Sequence, residues 1–197
     1  MPELSDVENF GRYFRKHALR QVIEGVSVAD QRVLRKLRAE RLRRRVIGRR
    51  FVAVRRHGKH LLARLDDGGW ITLHFGMTGS LAHFKDSEPP YDRLRFDFAN
   101  GSHLGLVDPR RFGRVGIADD AGSFIAAERL GPDALDRALT LRRFRALLAG
   151  RRGAVKAALM DQALIAGIGN IFSDEILFRA RLHPQTPVAR LDPARVG

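Results

Sequence analysis

The sequence predicts a two-domain α+β protein, a β-rich N-terminal domain followed by a helical one, with the boundary near residue 132. Three observations predict it. Between residues 50 and 120, short apolar runs alternate with turn residues, the pattern of a sandwich or barrel. After Leu130-Gly131-Pro132 the apolar spacing changes to the threes and fours of helices. A chain of 197 residues, 44% of them hydrophobic, has enough apolar material to build a core.

Residues 3–19 open the chain as a helix. Leu4, Val7, Phe10 and Phe14 make one apolar stripe, and Pro2 sits where a missing N–H costs nothing. Residues 20–29 alternate like a strand. Residues 31–45 set Leu34, Leu37 and Leu42 among many Arg, which fits a basic amphipathic helix or a charged loop. Arg50–Leu65 is a strand run ending at Asp66-Asp67-Gly68-Gly69, and Trp70–Phe75 is another, ending at Gly76-Met77-Thr78-Gly79. Leu94, Phe96 and Phe98 alternate with polar residues, Asn100-Gly101 is a hairpin turn, and His103–Val107 is the return strand. In the second domain Leu141, Phe144, Leu147 and Leu148 line a helix that stops at Gly150. Val155–Asp161 is a second helix. A third carries Ile171, Ile176, Leu177 and Phe178 and ends before His183-Pro184. Asp192-Pro193 starts a further helix, with a capping residue followed by Pro in the first turn.

Charge narrows the partner. Thirty-six basic and 22 acidic residues leave +14, and 31 of the 36 are Arg. The guanidinium fork binds phosphate bidentately, so the imbalance points to a polyanion, most simply nucleic acid. The chain has no Cys, which removes disulfides and cysteine-ligated metals from its own residues. No run reaches the ~18 apolar residues of a membrane helix, and the N-terminus lacks the features of a secretory signal, so a cytosolic setting is expected.

Five motifs carry chemistry. If the initiator Met is removed from Met1-Pro2-Glu3, Pro2 presents a secondary amine with a pKa near ~8. Such an amine attacks an aldehyde-like carbon to give an iminium that serves as an electron sink, with Glu3 beside it to move a proton. A Pro-Glu pair is also an ordinary helix start. Arg55-Arg56-His57-Gly58-Lys59-His60 fits a basic hairpin tracking phosphates, or a solvated strand edge. Gly76-Met77-Thr78-Gly79 projects an apolar side chain that either wedges between bases or folds back on the sheet. Asp108-Pro109-Arg110-Arg111-Phe112-Gly113 joins phosphate binding to stacking on one turn. Gly167-Ile168-Gly169-Asn170 leads into a helix whose N–H groups, with the Asn170 amide, hold a phosphate. No strand-helix-strand context surrounds it, so it is not a dinucleotide fingerprint. The histidines lack metal spacing. His74 reads as a packed or hydrogen-bonded strand residue, and Asp161 and Asp174 as residues that cap or solvate helices.

The segments MPELSDVE, RRHGKHLL, LHFGMTGSL, DPRRFGRV and LMDQALIAGIGNIFSDEILFRARLHP, in this order, resemble formamidopyrimidine-DNA glycosylase and its endonuclease VIII type relatives. The resemblance covers nearly the whole chain, most specifically in GIGNIFSDEILFRA and DPRRFG and least at residues 20–48. It implies an N-terminal β-sandwich flanked by helices over residues 1–132, then a helix-two-turn-helix domain over residues 133–197. The resemblance further implies that this second domain is incomplete and that the family's zinc finger is not among these residues. No cofactor is then expected in this chain. The implied partner is double-stranded DNA containing oxidised bases or abasic sites, met by a monomer in a bacterial cytoplasm near the nucleoid. The implied activity is base excision with AP lyase cleavage.

By the same resemblance Pro2 is the nucleophile, Glu3 the acid that opens the ribose, and Lys59 a lysine contacting phosphates at the lesion. Met77, Arg110 and Phe112 fill the gap left by a flipped nucleotide. Asn170 binds phosphate, and Lys156 and Glu175 border the lesion. Family members usually carry Pro and Glu where this chain has Ser5 and Asp6. Asp6 keeps the catalytic carboxylate but shortens its reach. Two rival readings are a non-catalytic damaged-DNA-binding module of the same fold and an Arg-rich, ribosome-type RNA-binding protein.

Overall fold

The computed structural model describes residues 2–191, and the helix start expected at Asp192-Pro193 lies outside them. The described residues form two compact units that divide between Phe124 and Ile125.

The first unit starts with α1 (Leu4–Ala18). Its helical bonds begin at Leu4, with Glu3 extended as the cap (φ −93°, ψ 178°), so Pro2 lies before the helix rather than in its first turn. Val7 and Phe14 are fully buried, while Phe10 leans on Phe75 at 4.5 Å between ring centroids. After β1 (Ile23–Val28), residues 31–45 combine both readings offered for them. A 3-10 turn at Gln31–Val33 leads through extended chain to α2 (Ala39–Val46), which buries only Leu42 and Val46 and leaves its arginines outside.

The run Arg50–Leu65 is two strands, β2 (Phe51–His57) and β3 (His60–Leu65), paired as a hairpin around Gly58-Lys59. Then come β4 (Trp70–His74), β5 (Ser80–Phe84), β6 (Asp92–Phe98), β7 (His103–Val107) and β8 (Arg114–Ala118), followed by α3 (Ala121–Ala127). β5, β8 and α3 have no counterpart in the sequence reading. β5 follows the Gly76–Gly79 loop without a second turn signal, and its side chains are all half-buried, so it shows no clean alternation.

The strands form two antiparallel sheets, β1-β6-β7-β5 and β2-β3-β4-β8. This settles sandwich over barrel. Leu94, Phe96 and Phe98 turn into the core, as their alternation requires. Phe51 of one sheet meets Phe96 of the other edge-on at 5.3 Å and Phe14 of α1 at 4.9 Å. Each such ring contributes about 1.5–3 kcal/mol by leaving water.

The second unit holds α4 (Leu141–Leu148), α5 (Val155–Met160) and α6 (Asn170–Ala180). Thr140 caps α4, its hydroxyl accepting the Arg143 N–H at 3.3 Å. Leu148, Val155, Leu159, Ile165, Ile168 and Leu177 make a separate small core. Of the apolar residues expected on the third helix only Leu177 is buried, and Phe178 is 82% exposed.

Candidate nucleic-acid interface

The N-terminal end of α1 is the chemically unusual part of the first unit. The Asp6 carboxylate reaches back one turn and accepts the Glu3 N–H at 2.8 Å, which fixes the Pro2-Glu3 peptide. Lys59, at the β2–β3 turn, brings its Nζ to 3.4 Å from Glu3 Oε2, with both side chains nearly excluded from water. Pro2 is partly exposed. The sequence reading joined Pro2 and Glu3 but had no distance to Lys59; the fold brings Lys59 to Glu3 across more than fifty residues.

Arg56 was read only as one of a basic run, and the structure gives it a supporting place. Its side chain is 8% exposed. Nη1 donates to the Gly58 carbonyl at 2.9 Å and Nε to Glu8 Oε2 at 3.3 Å, tying the turn that carries Lys59 to α1. A buried Arg cannot be distinguished by sequence from its solvated neighbours in an Arg-rich run.

Met77 and the Asp108–Gly113 turn are neighbours. Met77 is 42% exposed and Phe112 44%, so neither folds back into the core. The Arg110 guanidinium sits 5.1 Å above the Phe112 ring. Gly76 (φ +60°) lies against the Phe112 backbone, where a Cβ would come within 2.4 Å of its carbonyl carbon. Only glycine permits both that conformation and that approach. Asp108 is fully buried between the two loops. It accepts the Arg110 N–H in an Asx turn and the Thr78 hydroxyl from the other loop, and neither bond was read from the sequence.

His74 Nδ1 accepts the Gly76 N–H at 3.1 Å, a strand-end hydrogen bond as expected. Behind it the His60 ring lies 4.8 Å away, tilted by 49°, and burial, followed by the nearby His74, Arg35 and His57, pushes the His60 pKa down to about 3. The His60 imidazole is therefore neutral at physiological pH and forms part of the scaffold.

In the second unit α6 begins at Asn170, which is exposed at the positive end of an 11-residue helix. The preceding Gly-rich turn is held by Gln162. Its Nε2 donates to Ile168 O at 2.7 Å, and its Oε1 accepts Gly167 N–H at 2.9 Å. Nothing in the sequence reading singled out Gln162. Lys156 pairs with Asp174 at 2.6 Å, and Glu175 is exposed on the next position of α6. Asp161 accepts Ala163 N–H at 3.0 Å and pairs with Arg151, a turn-capping role. The cysteine-ligated zinc implied by the resemblance has no fit among these residues. The chain has no Cys, and the described residues contain no cluster of three or more His, Asp or Glu arranged for a metal.

Residues 1–115 match the formamidopyrimidine-DNA glycosylase N-terminal domain, and residues 130–197 match the formamidopyrimidine-DNA glycosylase H2TH domain. The chain is 38% identical over 198 residues to formamidopyrimidine-DNA glycosylase of Halorhodospira halophila, covering 99% of this chain and 73% of the relative. It is 38% identical over 201 residues to the same-named protein of Moorella thermoacetica, covering 100% and 73%. Among solved structures it is similar to the Lactococcus lactis formamidopyrimidine-DNA glycosylase bound non-covalently to DNA containing an AP site. That likeness has a TM-score of 0.92 and 26% identity and covers 99% and 76% of the two chains. The complex of the Lactococcus lactis protein with N7-benzyl-Fapy-dG DNA gives the same TM-score and identity, covering 99% and 73%.

Proposed function

The chain belongs to the formamidopyrimidine-DNA glycosylase family, and from that premise we propose that it excises oxidised bases from duplex DNA and then nicks the strand as an AP lyase. The observation that carries this reading is the buried Glu3–Lys59 pair at the N-terminal end of α1, next to Pro2 and steadied by Asp6.

The Pro2 nitrogen lone pair forms a bond to the sugar C1′ as the glycosidic bond breaks with its electrons leaving on the base, which takes a proton from water, and the N–H proton of the resulting ammonium passes to the Glu3 carboxylate. Glu3 gives a proton to the ribose ring oxygen as the C1′–O bond opens, leaving a C1′=N iminium. A secondary amine has no N–H to lose at that stage, so the cation persists and acidifies C2′. Loss of a C2′ proton then expels the 3′-phosphate. Lys59, held at the same point by the β2–β3 turn, contacts the phosphate beside the lesion. A base cannot be attacked while stacked, so the nucleotide must swing out. Met77, Arg110 and Phe112 take its place. Asn170 and the start of α6 grip a backbone phosphate, with Lys156 and Glu175 bordering the lesion.

The test is borohydride reduction in the presence of duplex DNA carrying an abasic site or an oxidised base. The iminium is reduced to a stable amine, giving a covalent protein–DNA adduct. Pro2→Gly and a Met1-retaining form should give much less. DNA bound without any adduct would instead support a non-catalytic damaged-DNA-binding module.

A further inference from the structure

The two loops that carry the gap-filling side chains share one carboxylate. Asp108 Oδ1 accepts the Thr78 hydroxyl at 2.8 Å and the Arg110 N–H at 3.2 Å, and Oδ2 accepts the Gly113 N–H at 2.6 Å. Its own N–H donates to Tyr91 O at 3.0 Å, and its carbonyl accepts Arg93 Nε at 2.8 Å. Every polar atom of this fully buried residue is therefore used. Thr78 directly follows Met77, and Arg110 and Gly113 bracket Phe112. The Asp108 carboxylate is thus the point at which Met77 on one loop and Arg110 with Phe112 on the other are set relative to each other.

We propose that Asp108 and Thr78 form a positioning latch that holds Met77, Arg110 and Phe112 as one preassembled wedge, acting on nucleotide extrusion rather than on the chemistry at Pro2. This rests on the glycosylase reading above. The physical argument is entropic. A wedge that enters the stack must have its side chains placed before the base leaves, because ordering two loops during extrusion subtracts from the energy of insertion. A buried carboxylate shared by both loops removes that cost in advance. It also explains why the loop needs Thr78, since an apolar residue of the same shape would leave Asp108 with one acceptor position unused.

The test compares two substrates: duplex DNA with an oxidised base, which must be unstacked, and the same duplex with an abasic site, which has no base to extrude. Thr78→Val should lower the ratio of base-excision rate to abasic-nicking rate roughly fivefold to tenfold, the effect of one lost hydrogen bond of this kind. The fluorescence rise of a 2-aminopurine placed beside the lesion should slow by the same factor. Thr78→Ser, which keeps the hydroxyl, should restore the ratio to within about twofold. Asp108→Asn turns one acceptor oxygen into a donor facing another donor and should lower the ratio further; if it fails to fold, the Thr78 pair still decides.

The latch is overturned if Thr78→Val keeps the ratio and the fluorescence rate, even where its melting temperature falls, or if Thr78→Ser behaves like Thr78→Val. If the native sequence itself fails to nick abasic duplex, the glycosylase reading falls and takes the latch with it. If it nicks and the Thr78→Val ratio is unchanged, only the latch falls.

Discussion

Lys59 Nζ lies 3.4 Å from Glu3 Oε2, and the two side chains are 7% and 4% exposed. One partner is on the turn of a hairpin and the other is the cap residue of the first helix, so the ion pair joins the chain's N-terminus to the second sheet. Breaking such a pair from one side leaves an uncompensated buried charge. Lys59→Met should therefore destabilise the protein by about 3–5 kcal/mol, read from urea unfolding. Adding Glu3→Gln to that variant should recover much of the loss. A double variant as unstable as the single would show that packing, not charge, is what Lys59 provides.

Asp6 differs from the Glu usual in the family, and its contact with the Glu3 N–H gives it a defined task. Asp6→Ala removes that acceptor and should cost about 1 kcal/mol, together with a drop in borohydride trapping as the Pro2-Glu3 peptide loosens. Asp6→Asn keeps an acceptor and should trap at close to the native level. If Asn behaves like Ala, the negative charge itself is what matters.

Arg110 and Asn170 contribute differently to DNA binding under the proposed function. A cation releases a counterion and an amide does not. Arg110→Ala should reduce the slope of log affinity against log salt by about 1. Asn170→Ala should weaken binding without changing that slope. Fluorescence anisotropy on abasic duplex over a salt series checks both. Equal slopes for Arg110→Ala and the native protein would place Arg110 away from phosphate.

Asp92 bears on pH dependence. It is buried on the sheet that contains β6, against Gly105, where a Cβ would come within 2.6 Å of its Oδ1. Burial, followed by the nearby Glu88, pushes its pKa up to about 6. The folded state therefore binds this proton more tightly than the unfolded chain does. Its contribution is full below the ordinary carboxyl pKa and is lost as pH rises toward 6. Asp92→Asn should match the native protein near pH 4 and exceed it by up to about 2 kcal/mol above pH 6. Thermal unfolding across that range decides it; an Asn variant without advantage at pH 8 refutes the assignment.

Periodicity carried much of the fold. The stripe of Leu4, Val7 and Phe14 and the alternation of Leu94, Phe96 and Phe98 appear in the structure as buried faces. Residues 31–45 resisted because a short helix with two buried side chains among exposed arginines leaves almost no apolar signature. β5 resisted for the related reason that every one of its residues is half-buried. Sandwich and barrel could not be separated because strand order is a matter of pairing, which local alternation does not encode.

The sequence alone determined which residue types are available for chemistry: Pro2 with Glu3 beside it, a Met on a Gly-flanked loop, an Arg-rich aromatic turn and a Gly-rich helix start. Each of those signals is local, set by neighbours in the chain. Tertiary structure decided which of them act together. Lys59 reaches Glu3, Arg56 reaches Glu8, and Thr78 reaches Asp108 only because two sheets and a helix close on one core. A hydrogen bond forms within a few ångströms of space, whatever the distance along the chain, and that spacing exists only once the apolar faces have left water.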